Sequence, residues 1–221
     1  MNLACRGVLF DMDGVLVDST VAAERAWTQW AHEFGVDPGQ VLRGLHGRRS
    51  ADTVRLHVPA VVHAHAVRRI DAIEIADAGS TEPIPGAREL LESLPGKWAV
   101  VTSASRALLT ARLGAAGMPE PSVIISSDDV TQGKPSPEGY LRAAAQLGVP
   151  IGECVVFEDS VNGVAAGLAA EPAAVVGVGV AALHTPAPVV VPDLRSVRWS
   201  GRGVEVSGEL RRQAERPGAR P

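Results

Sequence analysis

The chain has 221 residues, 46% of them hydrophobic but only 4% aromatic, and a formal net charge of −4. That is enough apolar material for one domain with an aliphatic core, or one domain carrying an inserted subdomain, and it excludes a wholly disordered chain. The mild acidity argues against a nucleic-acid footprint over the whole surface, and no apolar run reaches the ~18 residues of a membrane span, so neither a nucleic-acid nor a membrane partner is expected. Residues 1–10 lack the pattern of a signal peptide, and Cys5 and Cys154 sit in apolar runs as reduced core thiols would, so a cytoplasmic protein is expected.

Apolar runs alternate with helix-length segments along most of the chain. Arg6–Phe10 reads as a short buried strand that stops at Asp11. Lys97–Val101 stops at Thr102-Ser103, Ser122–Ile125 at Ser126-Ser127, and Glu153–Phe157 at Glu158-Asp159; Ala173–Val176 is a fifth run. The stretches Arg106–Ala116, Pro137–Leu147 and Ser160–Ala170 separate them and read as helices. Near-continuous apolar strands alternating with helices predict an α/β fold, a doubly wound parallel sheet covered on both faces. Open parallel sheets bind ligands beyond the carboxyl ends of their strands, where four polar clusters would converge.

Residues 18–85 read differently. Trp27, Trp30, Ala31 and Phe34 recur at the spacing of an amphipathic helix seam, and Val54 through Glu74 continue in helical register with no strand pattern. The expected organisation is therefore an α/β core made of residues 1–17 and 86–207, interrupted by a helical insertion over 18–85 that ends at Pro83-Ile84-Pro85-Gly86. Residues 195–206 suggest a hairpin about Ser200-Gly201-Arg202-Gly203, and 208–221 a disordered tail.

The chemistry concentrates at the strand ends. Asp11 and Asp13, two residues apart and followed by Gly14, set two carboxylates above the sheet edge. One can attack phosphorus while the other moves protons; the same residues would also serve as a polar turn with a helix cap. Thr102, Ser103 and Ala104 precede a helix, where hydroxyls and free backbone N–H groups hold phosphate oxygens, or simply cap the helix. The chain has only two lysines, and one of them, Lys134, lies between Gly133 and Pro135, where a compact ammonium suits a phosphate as readily as solvent. Glu158 and Asp159 add two hard carboxylates, which suit magnesium or a helix cap.

Through Asp11-Met12-Asp13-Gly14-Val15, Thr102-Ser103, Lys134 with its proline, and Glu158-Asp159, the chain resembles the haloacid dehalogenase superfamily of phosphotransferases. The helical insertion matches the cap that this superfamily places after its first motif. More narrowly, Asp18-Ser19, Glu24-Arg25-Ala26-Trp27, His46-Gly47-Arg48 and Val101-Thr102-Ser103 are similar to the bacterial sugar and sugar-alcohol phosphatases. The resemblance implies a Rossmann-like core and a magnesium-dependent phosphomonoesterase acting on a small phosphorylated sugar or polyol. Asp11 would be the nucleophile and form an aspartyl-phosphate. Asp13 would protonate the leaving oxygen and then deprotonate water. Ser103 and Lys134 would hold the phosphoryl group, and Asp11, Asp13 through its carbonyl, Asp159 and, as a further candidate, Glu158 would hold the metal.

Substrate choice would fall to the insertion, where His46, Arg48 and Arg49 form a polar loop able to bind a sugar or to face solvent. Glu74 is a second candidate there, but an ordinary helix-face glutamate is the expected reading. A related group, the β-phosphoglucomutases, has a histidine twelve residues after the nucleophile, where this chain has Ala23, so hydrolysis is expected over transfer to a sugar. An inactive phosphosugar-binding protein is the other alternative. A monomer is expected, with a dimer as the alternative.

Overall fold

The computed structural model describes residues 1–212. In chain order its elements are β1 (Asn2–Ala4), β2 (Gly7–Phe10), β3 (Val17–Asp18), α1 (Thr20–Glu33), α2 (Pro38–Leu42), α3 (Ser50–His57), α4 (His63–Asp77), β4 (Glu82–Pro83), α5 (Ala87–Ser93), β5 (Trp98–Val101) and α6 (Arg106–Ala115). They continue with β6 (Val123–Ile125), α7 (Glu138–Leu147), β7 (Cys154–Glu158), α8 (Val161–Ala169), β8 (Ala174–Val178), β9 (Val189–Val191), β10 (Val197–Trp199), β11 (Gly203–Val206) and β12 (Arg211–Arg212).

The main sheet runs β12-β9-β8-β7-β2-β5-β6, parallel throughout except for β12. Its interior strand β2 pairs with β5 on one side (Val8 opposite Trp98) and β7 on the other (Phe10 opposite Phe157), so the ends of these three strands lie side by side. Because successive side chains point to opposite faces, each apolar run feeds two cores at once. Val8, Phe10, Val100 and Phe157 join the core under α5 and α6, and Leu9, Ala99, Val101 and Val156 the core under α7 and α8. Phe10 and Phe157 stack with ring centroids 5.1 Å apart, and burying each contributes about 1.5–3 kcal/mol. The sheet is thus the α/β, doubly wound arrangement that the alternating pattern predicts. Both cysteines are free and buried, and burial pushes their thiols up to about 11.

Helices α1–α4 collect a separate core around Trp27, Trp30, Val54 and Ile70. Trp30 is fully buried, and its indole N–H is satisfied by the carbonyl of Ala66 at 2.9 Å. The connections into and out of these helices are not plain coil. Val17–Asp18 and Glu82–Pro83 pair as an antiparallel ribbon, which corrects the reading of residues 18–85 as free of strand. The expected hairpin at residues 195–206 is present as β10 and β11, joined by β1 into a small antiparallel sheet. The expectation of a disordered tail from residue 208 is corrected over its described part. Arg211–Arg212 pairs with Val189–Val190, and Leu210 donates its N–H to the Val190 carbonyl. Residues 213–221 lie outside the described residues.

Candidate active site

Asp11 follows the last residue of β2, and its N–H is held by the carbonyl of Phe157 on β7, so the side chain projects where the two strands end. It is 4% exposed. Its Oδ1 accepts from the Met12 N–H at 2.7 Å and meets Lys134 Nζ at 2.9 Å, which leaves Oδ2 for other chemistry. Three residues further on, Gly14 turns the chain at φ +77°, and a Cβ there would lie 2.1 Å from Asp159 Oδ2. Glycine therefore supplies both the left-handed backbone and the space that Asp159 occupies.

Lys134 reaches in from the loop before α7 with a side chain only 6% exposed. Its ammonium is held by Asp11, by Glu158 Oε1 at 2.6 Å and by the carbonyl of Val101 at 3.1 Å. Glu158, the last residue of β7, is completely buried. Its Oε1 also accepts from the Tyr140 hydroxyl at 2.7 Å, and its Oε2 from the N–H groups of Asp159 and Ser160 and from the Ser160 hydroxyl. Oxygens of Asp11, Glu158 and Asp159 lie within 4.8 Å of one another. One ammonium thus faces three carboxylates in a water-poor site. Burial first, then Glu158, pushes Asp11 up to about 7 against the pull of Lys134, and the same two causes push Asp159 well above the carboxylate range.

A pocket opens above this cluster, between the strand ends and α1–α4. Asp11, Asp13 and Asp159 form part of its floor, Thr102, Ser103 and Ala104 one wall, and His46 and Arg48 reach it from the insertion. Eight of the residues picked out in the sequence therefore share one pocket, with Lys134 and Glu158 packed beneath. Thr102 Oγ1 accepts from the Ala104 N–H at 3.0 Å, and Ser103 Oγ donates to the Gly47 carbonyl at 2.9 Å, so this loop is tied to the insertion.

Arg49 departs from its expected place and does not line this pocket. Its guanidinium pairs with Asp52 at 2.7 Å and donates to the carbonyls of Val130 and Thr131 on the sheet side, where main-chain acceptors and a carboxylate give it a complete set of partners. Glu74 corrects the expectation of an ordinary helix-face glutamate: it is 6% exposed, lines the pocket, and is pushed up to about 7 by burial against the pull of Arg112. Trp27, read as core seam, also reaches the pocket.

Arg112 itself was not singled out by the sequence reading. It bridges Asp13 Oδ1 at 2.8 Å and Glu74 Oε1 at 3.0 Å. Ser19 stands at the N-cap of α1 but gives its hydroxyl to Asp13 Oδ1 at 2.6 Å instead of capping the helix. A signal for Arg112 exists: it falls in register with Leu108, Leu109 and Leu113 on the buried stripe of α6, where a charged residue is out of place.

A buried carboxylate just after β2, a buried lysine beside it and an acidic strand end, with a helical insertion above, are the arrangement of one family of hydrolases. The chain belongs to the haloacid dehalogenase-like hydrolase family, whose model matches residues 5–171. It is 40% identical over 191 residues to hexitol phosphatase A of Escherichia coli, covering 84% of this chain and 86% of that one. It is 37% identical over 186 residues to 2-deoxyglucose-6-phosphate phosphatase 1 of Saccharomyces cerevisiae, covering 73% of this chain and 75% of the relative. A crystal structure of β-phosphoglucomutase from Clostridium difficile superposes with a TM-score of 0.78 at 20% identity, covering 89% of this chain and 95% of that one, a likeness of fold alone.

Proposed function

We propose that this chain is a magnesium-dependent phosphomonoesterase that hydrolyses a small sugar phosphate or sugar-alcohol phosphate through an aspartyl-phosphate on Asp11. The observation that carries the reading is the stack of Asp11 on Lys134 and Glu158, with Asp159 beside it, under a pocket walled by hydroxyls and the insertion. The names of the relatives, a hexitol phosphatase and a 2-deoxyglucose-6-phosphate phosphatase, support the substrate class.

The donor set fits magnesium. Hard carboxylate oxygens converge, their negative charge exceeds that of the single ammonium, and Gly14 leaves Asp159 room to approach. Asp11, Asp159 and the main-chain carbonyl of Asp13 would hold the ion, whereas Glu158 already accepts from five donors and serves as the anchor of Lys134. When bound, the metal neutralises phosphoryl charge and helps orient the group for attack.

Asp11 attacks phosphorus through the oxygen not engaged by Met12 and Lys134. Lys134 screens the charge that gathers on the phosphoryl oxygens, from a buried site where such screening is strongest. Asp13 gives its proton to the departing sugar oxygen and then takes one from the water that cleaves the aspartyl-phosphate. Thr102, Ser103 and Ala104 border the phosphoryl group, while His46 and Arg48 face the sugar. The insertion excludes bulk water while the leaving group is protonated.

Hydrolysis is favoured over transfer to a second sugar because Ala23 lines the pocket with only a methyl group, and so supplies no base there for a hydroxyl acceptor. Incubation with β-glucose 1-phosphate and catalytic glucose 1,6-bisphosphate should yield inorganic phosphate and little glucose 6-phosphate; efficient conversion to glucose 6-phosphate would overturn this choice. Asp11→Asn should abolish turnover of every phosphate ester, since an amide cannot act as the nucleophile, and retained activity would remove the covalent route. A screen of several dozen phosphate esters with magnesium, ranked by kcat/KM, identifies the substrate.

A further inference from the structure

Arg112 belongs to α6, on the sheet side of the molecule, yet its guanidinium lies in the pocket and the residue is only 3% exposed. A helix that merely had to pack would carry another leucine at this position. Burying a guanidinium is costly unless its partners are well placed, and here one donor, Nε, has no partner among the described residues. The other two donors are spent on a carboxylate at the sheet edge, Asp13, and a carboxylate of the insertion, Glu74.

The effect falls on Asp13. Both Arg112 and the Ser19 hydroxyl donate to the same oxygen, Oδ1. No donor among the described residues takes Oδ2. A carboxyl held at one oxygen from two directions cannot rotate about its Cβ–Cγ bond without losing both partners, so Oδ2 is held as the free oxygen of a residue that lines the pocket. Ser19 alone would leave that rotation open. Arg112 is itself fixed at its far edge by Glu74 from α4, so its grip on Asp13 is complete only while the insertion lies against α6.

We propose that Arg112 is the positioning residue of Asp13, presenting Oδ2 to the leaving-group oxygen, with Glu74 seating Arg112 when the insertion is docked. The inference rests on the reading of Asp13 as the proton donor. In the step it governs, a bond forms between an Asp11 oxygen and phosphorus while the bond from phosphorus to the leaving oxygen breaks. The electron pair goes to that oxygen, which takes the proton from Asp13 Oδ2 and leaves Asp13 as a carboxylate.

A misplaced acid costs most where the leaving oxygen is most basic. The test is kcat/KM of the full chain with magnesium on nitrophenyl, phenyl and methylphenyl phosphates, which differ little in size but much in leaving-group basicity. kcat/KM reports events up to leaving-group departure. Arg112→Met should lose tenfold or less on nitrophenyl phosphate and about 10²-fold or more on phenyl phosphate, a steeper dependence than the parent's. Arg112→Met paired with Glu74→Met, which removes the buried Glu74 carboxylate that the single variant would orphan, should steepen it likewise, and Glu74→Gln less so. Circular dichroism and thermal midpoints show which variants are folded; if Arg112→Met is not, the paired variant decides.

An equal loss on every ester would overturn the proposal and make Arg112 a structural or phosphate-binding residue. Asp13→Asn separates the two levels of the argument. If Asp13→Asn fails to steepen the dependence, the proton-donor reading itself falls. If Asp13→Asn steepens it and the Arg112 variants do not, only the positioning role falls. Further steepening when Arg112→Met is added to Asp13→Asn would mean that the arginine acts on the substrate directly, which also overturns the proposal.

Discussion

Replacing Lys134 with methionine removes one charge from a cluster that has a single ammonium for three carboxylates. Glu158 is fully buried, and Asp11 and Lys134 are nearly so, so little water is at hand to replace the ammonium. Removing one partner of a buried ion pair costs ~3–5 kcal/mol, because the other charge is left uncompensated. Asp11 also loses the group that draws its carboxyl down, so its proton affinity rises further. The variant should therefore lose that much unfolding free energy, read from urea titration, and lose on the order of 10²-fold or more in turnover. Adding Glu158→Gln tests the cause. The new amide oxygen can accept from the N–H groups of Asp159 and Ser160, while its NH2 can donate to the Val101 carbonyl vacated by Lys134. With the orphaned charge gone, ~1 kcal/mol or more should return. Paired urea titrations of the parent and both variants make the comparison. Unchanged stability in Lys134→Met, or no recovery in the double variant, would refute the claim that the ammonium is there to balance buried charge.

Asp13→Asn should slow a sugar phosphate by 10²–10⁴-fold in kcat, measured by phosphate release, and a loss confined to KM would make Asp13 a binding group. Arg48→Ala should reduce kcat/KM for sugar phosphates about tenfold more than for an aryl phosphate, since remote contacts to the sugar supply the orienting energy; equal losses would return Arg48 to a solvent-facing role. In chelator, Asp11→Asn should become progressively more stable than the parent as pH rises. Folding raises the Asp11 carboxyl from near 4 to about 7, so across that window the parent takes up a proton on folding and loses stability with increasing pH. The gain should be absent below about pH 4 and level off above about pH 7, and thermal midpoints across that range would expose a gain that is constant with pH.

The strand ends were legible because each apolar run stops abruptly at residues that cannot be buried without partners; those after β2, β5 and β7 became the floor and wall of the pocket or the layer beneath it, whereas Ser126 and Asp129 after β6 close on each other as a capping box outside it. Val189–Val191 was not legible as the strand β9, for three valines between Pro188 and Pro192 are too short a run to show a period. The β3–β4 ribbon escaped for the same reason, with two residues a side and a proline in one of them. Arg49 lies outside the main pocket because a guanidinium on a long stem can reach either side of its loop, and only tertiary structure supplies the Val130 and Thr131 carbonyls that hold it. Arg112 and Glu74 are distant in sequence, and although a charge on the buried stripe of α6 is visible locally, its partner is not. Their meaning lies in a contact between α4 and α6 that no local pattern encodes.

The pairing of β3 with β4 has a consequence for how such a chain can vary. Val17 stands opposite Pro83 and Asp18 opposite Glu82, so everything from residue 19 to residue 81 leaves and re-enters through one doorway two strands wide. Seen from the sheet, those residues are a single hairpin loop, and lengthening, shortening or exchanging them leaves the separation of the attachment points unchanged. Because the entropy of closing a loop grows only slowly with its length, such exchanges cost the sheet little. Asp11 and Lys134 lie on the near side of the doorway and Arg48 and Glu74 beyond it, so the strand-end cluster and the pocket residues of the insertion can diverge at different rates.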